Sequence, residues 1–207
     1  MSVWLPPNGY SLLSDQNKNL LLNIKTYESF LLKTFRKNVL ENSKWPDPPE
    51  EGWCLPNNWF VLIKDIVRTT IVVKYLDGIE YIIEKITSEC KKNEIETISS
   101  LEASDEGYYA AHLNIFFEID IPKMDWNSEK RKISFEIQIT TQIQETIRRL
   151  LHKYYEEKRQ KEKCIKTNWQ WNYKDDEFIV NYLGHILHYM EGMIMEIRER
   201  RTRENKK

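Results

Sequence analysis

The chain has 207 residues, 41% hydrophobic and 12% aromatic, which suits one domain with helical additions and suffices for a core. A formal net charge of −1 gives no strong overall attraction to nucleic acid or membrane. The three cysteines (Cys54, Cys90, Cys164) are far apart and odd in number, which argues against a disulfide framework or structural zinc and fits a reducing cytoplasm. The first ten residues lack a basic-then-apolar signal, and no stretch has the apolar length to span a bilayer. A soluble, cytoplasmic protein with no membrane partner is expected.

Residues 15–41 read as a helix, capped by Asp15, with Leu20, Ile24, Tyr27, Leu31 and Phe35 at spacings of three and four. Residues 45–58 carry Pro46, Pro48, Pro49, Gly52 and Pro56 and read as a loop. Trp45, Trp53 and the adjacent Trp59 make it a packed one. A β-branched strand over 63–73 precedes a helix over 76–90 with Ile79, Ile82, Ile83 and Ile86 as its buried stripe. A short strand is expected over 93–103 and another over 109–119. In the latter, Leu113, Ile115, Phe117 and Ile119 face one way and His112 and Asn114 the other. A polar turn over 120–132 leads to a strand over 133–140 and a helix over 141–161. After a break near Asn168, a last helix over 176–201 has Phe178, Tyr182, Ile186, Tyr189, Met193 and Ile197 as its expected core face. Met190, Met193 and Met195 read as core filling, and the basic tail from Arg198 as solvated. The order predicts an α+β fold: a small mixed sheet with helices packed on it and long N- and C-terminal helices. The expected divisions are 1–58, 59–165 and 166–207, one compact domain overall.

The segment Phe135-Glu136-Ile137-Gln138-Ile139-Thr140-Thr141 carries the most chemical information. In a strand, Phe135, Ile137 and Ile139 face a core, while Glu136 and Gln138 share the opposite face. A mid-strand carboxylate is disfavoured and costs desolvation energy if covered, so Glu136 needs a partner, water or a role. A half-exposed antiparallel strand would account for it equally well. If this strand pairs with 109–119, His112 and Asn114 join Glu136 and Gln138 in one polar patch. Lys64, Asp65 and Arg68 lie near the entry of the first long strand. Asp65 and Glu136, from separate strands, form a carboxylate pair of the kind that holds Mg²⁺ with substrate phosphates or takes a proton from an attacking hydroxyl. Such a pair fits phosphoryl or pyrophosphoryl transfer. Gln144, Arg148, His152, Tyr155 and Arg159 share a helical stripe, by default a solvated face, although arginine suits phosphates. His185, His188 and Glu191 read as helix-surface packing rather than a metal site.

These blocks together resemble the RelA/SpoT-type alarmone synthetase domain. Asp65-Ile66-Val67 is similar to the family's catalytic Asp segment, and Gly107-Tyr108-Tyr109-Ala110-Ala111-His112 to its Gly-Tyr-Arg-Ser-x-His stretch. Phe135 to Thr141 is similar to Val-Glu-Ile-Gln-Ile-Arg-Thr. His152 falls near the family's Glu-His pair, with Leu151 in place of Glu. The likeness spans roughly residues 60–160. It implies transfer of pyrophosphate from ATP to the 3′-hydroxyl of a purine nucleotide. Asp65 and Glu136 would be catalytic and hold Mg²⁺, and Tyr108 would stack on the acceptor base. His112, Gln138, Arg68, Lys64, Arg148 and His152 would contact nucleotide. Toxic members of the family act on the tRNA 3′ end instead, so tRNA and a neutralising partner protein belong to the same expectation, as do oligomer contacts through the terminal helices. The chain also departs from the pattern. The family has a basic segment interleaved around a Ser ahead of the catalytic strand, whereas residues 41–63 contain only Lys44. Arg68 and Thr70 replace a Gly and an Arg, and Tyr109 and Thr140 replace arginines. Arg68, Lys33, Arg36, Lys37, Arg148 and Arg149 are the candidate substitutes. A synthetase-like domain that only binds nucleotide or protein is the alternative.

Overall fold

The computed structural model describes residues 12–14, 21–124, 126–161 and 168–204, with backbone alone at 152–161, 202 and 204. The elements are β1 (Asn23–Ile24), α1 (Tyr27–Phe35), α2 (Trp59–Leu62), β2 (Val67–Val73), α3 (Asp77–Lys92), β3 (Glu96–Ala103), β4 (Tyr109–Pro122), β5 (Ser128–Thr141), α4 (Gln142–Lys161) and α5 (Asp176–Glu204). They form a five-stranded sheet of order β1-β2-β5-β4-β3. β2 and β5 run parallel, and the other pairs are antiparallel. The expected mixed α+β architecture is therefore present.

Period-two alternation builds the core. Leu113 and Ile115 of β4 and Ile137 and Ile139 of β5 point to one face, with Val73 and Ala111 beside them. Ile79, Ile82, Ile83 and Ile86 of α3 pack against that face, as their spacing predicts. Acidic Asp77 and Glu80 begin α3, and Lys91 and Lys92 end it, in the sense the helix dipole favours. The polar turn expected over 120–132 is shorter than expected, because β4 runs to Pro122 and β5 starts at Ser128.

Two terminal elements differ from expectation. The N-terminal helix begins at Tyr27, and its expected cap Asp15 and first apolar position Leu20 lie outside the described residues. Asn23 and Ile24 instead pair with Arg68 and Val67, and the Lys25 amide donates to the Ile66 carbonyl, which continues the ladder. Thr26 is then extended, and its hydroxyl accepts from the Ser29 amide, a standard helix start. Over 36–40 the chain continues as a π-helical turn. The loop that follows is held by side chains: Asn38 exchanges two hydrogen bonds with the Cys54 backbone, and Trp45 meets Trp53 edge-on.

The second difference is at α5. Most of its expected core face is exposed: Tyr182, Ile186, Tyr189, Met193 and Ile197 all show to solvent, while Phe178 is half-buried. Glu177, Asn181, Glu191 and Arg198 of the same helix are buried. Met190 and Met193 are likewise exposed rather than core filling. Side-chain periodicity identifies a stripe, but not which stripe meets the body of the protein. No described helix is long and apolar enough to cross a membrane.

Candidate active site

The sheet face opposite α3 carries two polar rows. In the first, Arg68 of β2 and Asn114 of β4 flank Glu136. In the second, Thr70 and His112 flank Gln138, with Ser100 of β3 beyond His112. The pairing of β4 with β5 thus brings His112, Asn114, Glu136 and Gln138 together as one patch.

His112 links two carboxylates. Its Nδ1 lies 2.7 Å from Glu136 Oε1, and its Nε2 lies 2.9 Å from Glu102 Oε2. The first contact is an aligned hydrogen bond; the second is an ion contact without hydrogen-bond alignment. The bond to Glu136 raises the imidazole's pKa; burial opposes this, and the charges of Glu136 and Glu102 add to the rise. Glu136 is only 13% exposed, so its hydrogen bond with His112 offsets part of its desolvation. Glu102 was not among the sequence candidates, because only the β3–β4 register brings it to His112.

Gln138 donates its amide to the Tyr108 hydroxyl. Burial, reinforced by Glu102, pushes the phenol up to about 12, so Tyr108 stays neutral. Arg148 from α4 is electrostatically linked to that ring. Its guanidinium grips Glu145 through two bonds of 2.8 and 2.9 Å, and Arg149 adds a third of 2.6 Å. Burial raises the Glu145 carboxyl, but the two arginines outweigh it and hold it below its ordinary value. The stripe expected to be solvated therefore begins buried at Gln144 and half-buried at Arg148. His152, Tyr155 and Arg159 lie outside the described side chains.

Asp65 sits just before β2 and is held by Lys25 and Lys33, each 2.7 Å away. Burial raises its carboxyl, but the two hydrogen-bonded ammonium groups more than offset this and lower it to about 2. Lys64 and Arg68 nearby are exposed, in no ion pair among the described residues. Lys25 was missed in the sequence. Its signal was the spacing Lys25-x-x-x-Ser29-x-x-x-Lys33, a basic segment around a serine upstream of residues 41–63. Reading β1 as helix put Lys25 in the middle of a helix, away from any site.

The Tyr108 turn is fixed from behind by α5. Gly107 has φ +78°, and a Cβ added at Gly184 would lie 2.3 Å from the Gly107 carbonyl oxygen. Tyr109, where the family pattern has arginine, stacks on His188 with ring centroids 3.7 Å apart. Its hydroxyl is 2.8 Å from His185 Nδ1, whose Nε2 lies 2.9 Å from the Asp105 carbonyl oxygen. That carbonyl can only accept, so Nε2 carries a proton and donates to it. The two histidines thus pack and orient the turn, as expected.

Asp65 and Glu136 are carboxylates of the type that a Mg²⁺ site completed by phosphates uses, but in this structure both Asp65 oxygens are engaged by Lys25 and Lys33. Asn114 Oδ1, in register with Glu136, is buried and has no hydrogen-bond partner, an acceptor left for a bound ligand or its water. No cluster of three or more His, Cys, Asp or Glu side chains suited to a metal occurs among the described residues, so phosphates would have to supply the remaining ligands.

The fold has the architecture of solved GTP pyrophosphokinase-family and alarmone synthetase structures, which bears out the RelA/SpoT-type resemblance at the level of fold. A GTP pyrophosphokinase family protein from Streptococcus pneumoniae superposes with TM-score 0.59 at 16% identity, over 93% of this chain and 80% of that one. The small alarmone synthetase 2 from Bacillus subtilis gives 0.57 at 17% identity, over 94% and 86%. The small alarmone synthetase 1 from the same organism, bound to its product pppGpp, gives 0.56 at 15%, over 90% and 80%. No protein-family model matches the sequence, and no curated protein matches it.

Proposed function

We propose that this chain is a pyrophosphokinase that transfers the pyrophosphoryl group of ATP to the 3′-hydroxyl of a purine nucleotide. The observation that carries this reading is the patch itself: Glu136 and Gln138 on one strand, His112 on the next, and Tyr108 hydrogen-bonded to Gln138 at its rim. The small alarmone synthetase 1 structures with pppGpp and with AMPCPP, of like fold, support nucleotide substrates for such a site.

Each residue then has a chemical task. Glu136 Oε1 is engaged by His112, so Oε2 faces the acceptor and takes the proton of the attacking 3′-hydroxyl. The 3′-oxygen attacks the β-phosphorus of ATP, the bond from that phosphorus to the α,β-bridging oxygen breaks, and AMP leaves. His112 holds the Glu136 carboxyl in place through its hydrogen bond. Gln138 and Tyr108 position the acceptor, with an aromatic surface for its base. Lys25 and Lys33, joined by Arg68 and Lys64, are the phosphate-binding cations that residues 41–63 lack. Asp65, together with the nucleotide phosphates, would hold Mg²⁺, which would neutralise phosphate charge. Without nucleotide, the two lysines serve as counterions to Asp65; phosphates compete for them.

The test is incubation of the purified protein with Mg²⁺, labelled ATP and GDP, GTP or tRNA, in parallel with Glu136→Gln and Asp65→Asn. Transfer to GDP or GTP, abolished in both variants, is expected. Transfer to tRNA alone moves the acceptor assignment to the toxic branch of the same chemistry. No transfer to any acceptor, with nucleotide still bound, overturns the enzyme reading in favour of a nucleotide-binding module.

A further inference from the structure

Asn114 sits on the polar face of the sheet with neighbours that offer its carbonyl oxygen no donor. The side chain is 5% exposed, and Oδ1 has no hydrogen-bond partner among the described residues. An acceptor buried in this way is costly unless a ligand meets it. Ile98 of β3 pairs with Asn114 on one side and is apolar. Glu136 of β5 pairs with it on the other, and an ionised carboxylate only accepts. Along β4, the side chains on the same face are His112 and Phe116. His112 is already spanned between Glu136 and Glu102, and Phe116 has no polar atom. The donor that suits Asn114 therefore comes from a bound molecule.

We infer that Asn114 reads the 2′-hydroxyl of the acceptor ribose, so that the site takes a ribonucleotide in preference to its 2′-deoxy analogue. The inference rests on the pyrophosphokinase reading, in which the 3′-hydroxyl comes to Glu136 Oε2. Directly opposed side chains on one sheet face stand about 5 Å apart at their Cβ atoms. The 2′- and 3′-hydroxyls are adjacent and lie on the same face of the sugar. A ribose that brings its 3′-hydroxyl to Glu136 thus carries its 2′-hydroxyl to the residue across the strand pair. The last torsion of asparagine is soft, so Oδ1 can turn to meet it. The bond has one direction: the hydroxyl donates and Oδ1 accepts. His112 and Asn114 then divide the work on β4, one holding the carboxyl that takes the proton and the other holding the sugar. This contact also settles which of two similar hydroxyls reacts. The one at the carboxylate loses its proton, whereas the one at the amide keeps it, because an amide is not a base. A second attachment beside the reacting oxygen fixes the rotation of the sugar as well.

The test is calorimetric binding of GDP, 2′-deoxy-GDP and 2′-deoxy-2′-fluoro-GDP to the wild type and to Asn114→Ala, with transfer from labelled ATP followed for the same three acceptors. The fluoro sugar keeps a ribose-like pucker but cannot donate. Both analogues are expected to bind the wild type about tenfold or more weakly than GDP. On Asn114→Ala all three should bind within about twofold of one another, near the affinity of the wild type for 2′-deoxy-GDP. A wild type that binds the three alike, or does not bind GDP, overturns the inference without recourse to any variant. A fluoro analogue bound as tightly as GDP also overturns it, because sugar shape rather than donation is then sensed. So does discrimination that Asn114→Ala leaves intact, because another group then reads the hydroxyl. Selective binding lost in Asn114→Ala, without transfer to any acceptor, upholds the role of Asn114 and counts against the pyrophosphokinase reading alone. Transfer with no discrimination does the reverse.

Discussion

Asp65 draws its partners from far along the chain: Lys25 and Lys33 precede it by 40 and 32 residues and meet it only after β1 has paired with β2. Its folded-state pKa is about 2 against an ordinary 3.8. A depressed carboxyl contributes stability that is present above the unfolded value and is lost as pH falls through the folded one. Asp65→Asn should therefore cost about 2 kcal/mol at pH 7, with the gap from wild type closing between about pH 4 and pH 2. Urea unfolding across that range measures it, and a gap that persists at pH 2 would contradict the ion pairs. His112 works in the opposite sense. Its pKa is raised above 6.5, so its contribution is complete below that value and is lost as pH rises through the folded-state pKa. His112→Gln should destabilise the protein more at pH 6 than at pH 9 in the same assay.

Among the elements, β5 was the most legible. A strand's period of two assigns Phe135, Ile137 and Ile139 to one face and Glu136 and Gln138 to the other, whatever the neighbours are, and the structure keeps that assignment. α3 was equally legible, since its isoleucine stripe could bury itself only on the sheet. α5 was not. It carries an apolar stripe and a polar stripe; the polar one is buried, and Gly184 admits the close approach to the Gly107 turn. Gly184→Ala puts a methyl group 2.3 Å from a backbone oxygen that has no flexible side chain to yield. It should cost on the order of 1–3 kcal/mol. It should also speed amide hydrogen exchange at Tyr108 and Tyr109, where a globally destabilised but correctly docked helix would show no local excess.

At the scale of the whole molecule, stability rests on the layer between the sheet and α3. Leu113 is fully buried in β4, an interior strand of the sheet, and Leu113→Ala should cost about 2–5 kcal/mol, read from a lowered denaturant midpoint. A loss near zero would mean that this layer is not the core. The sequence by itself determined most element types, the α+β class, the two faces of β4 and β5 and hence most of the polar patch. Those features follow from local propensity and periodicity, which any stretch of chain carries with it. Only the tertiary structure decided that Lys25 reaches Asp65, that Glu102 closes on His112, and which stripe of α5 faces inward. Each of these depends on contacts between residues remote in sequence, and a contact of that kind has no local periodicity from which it can be read.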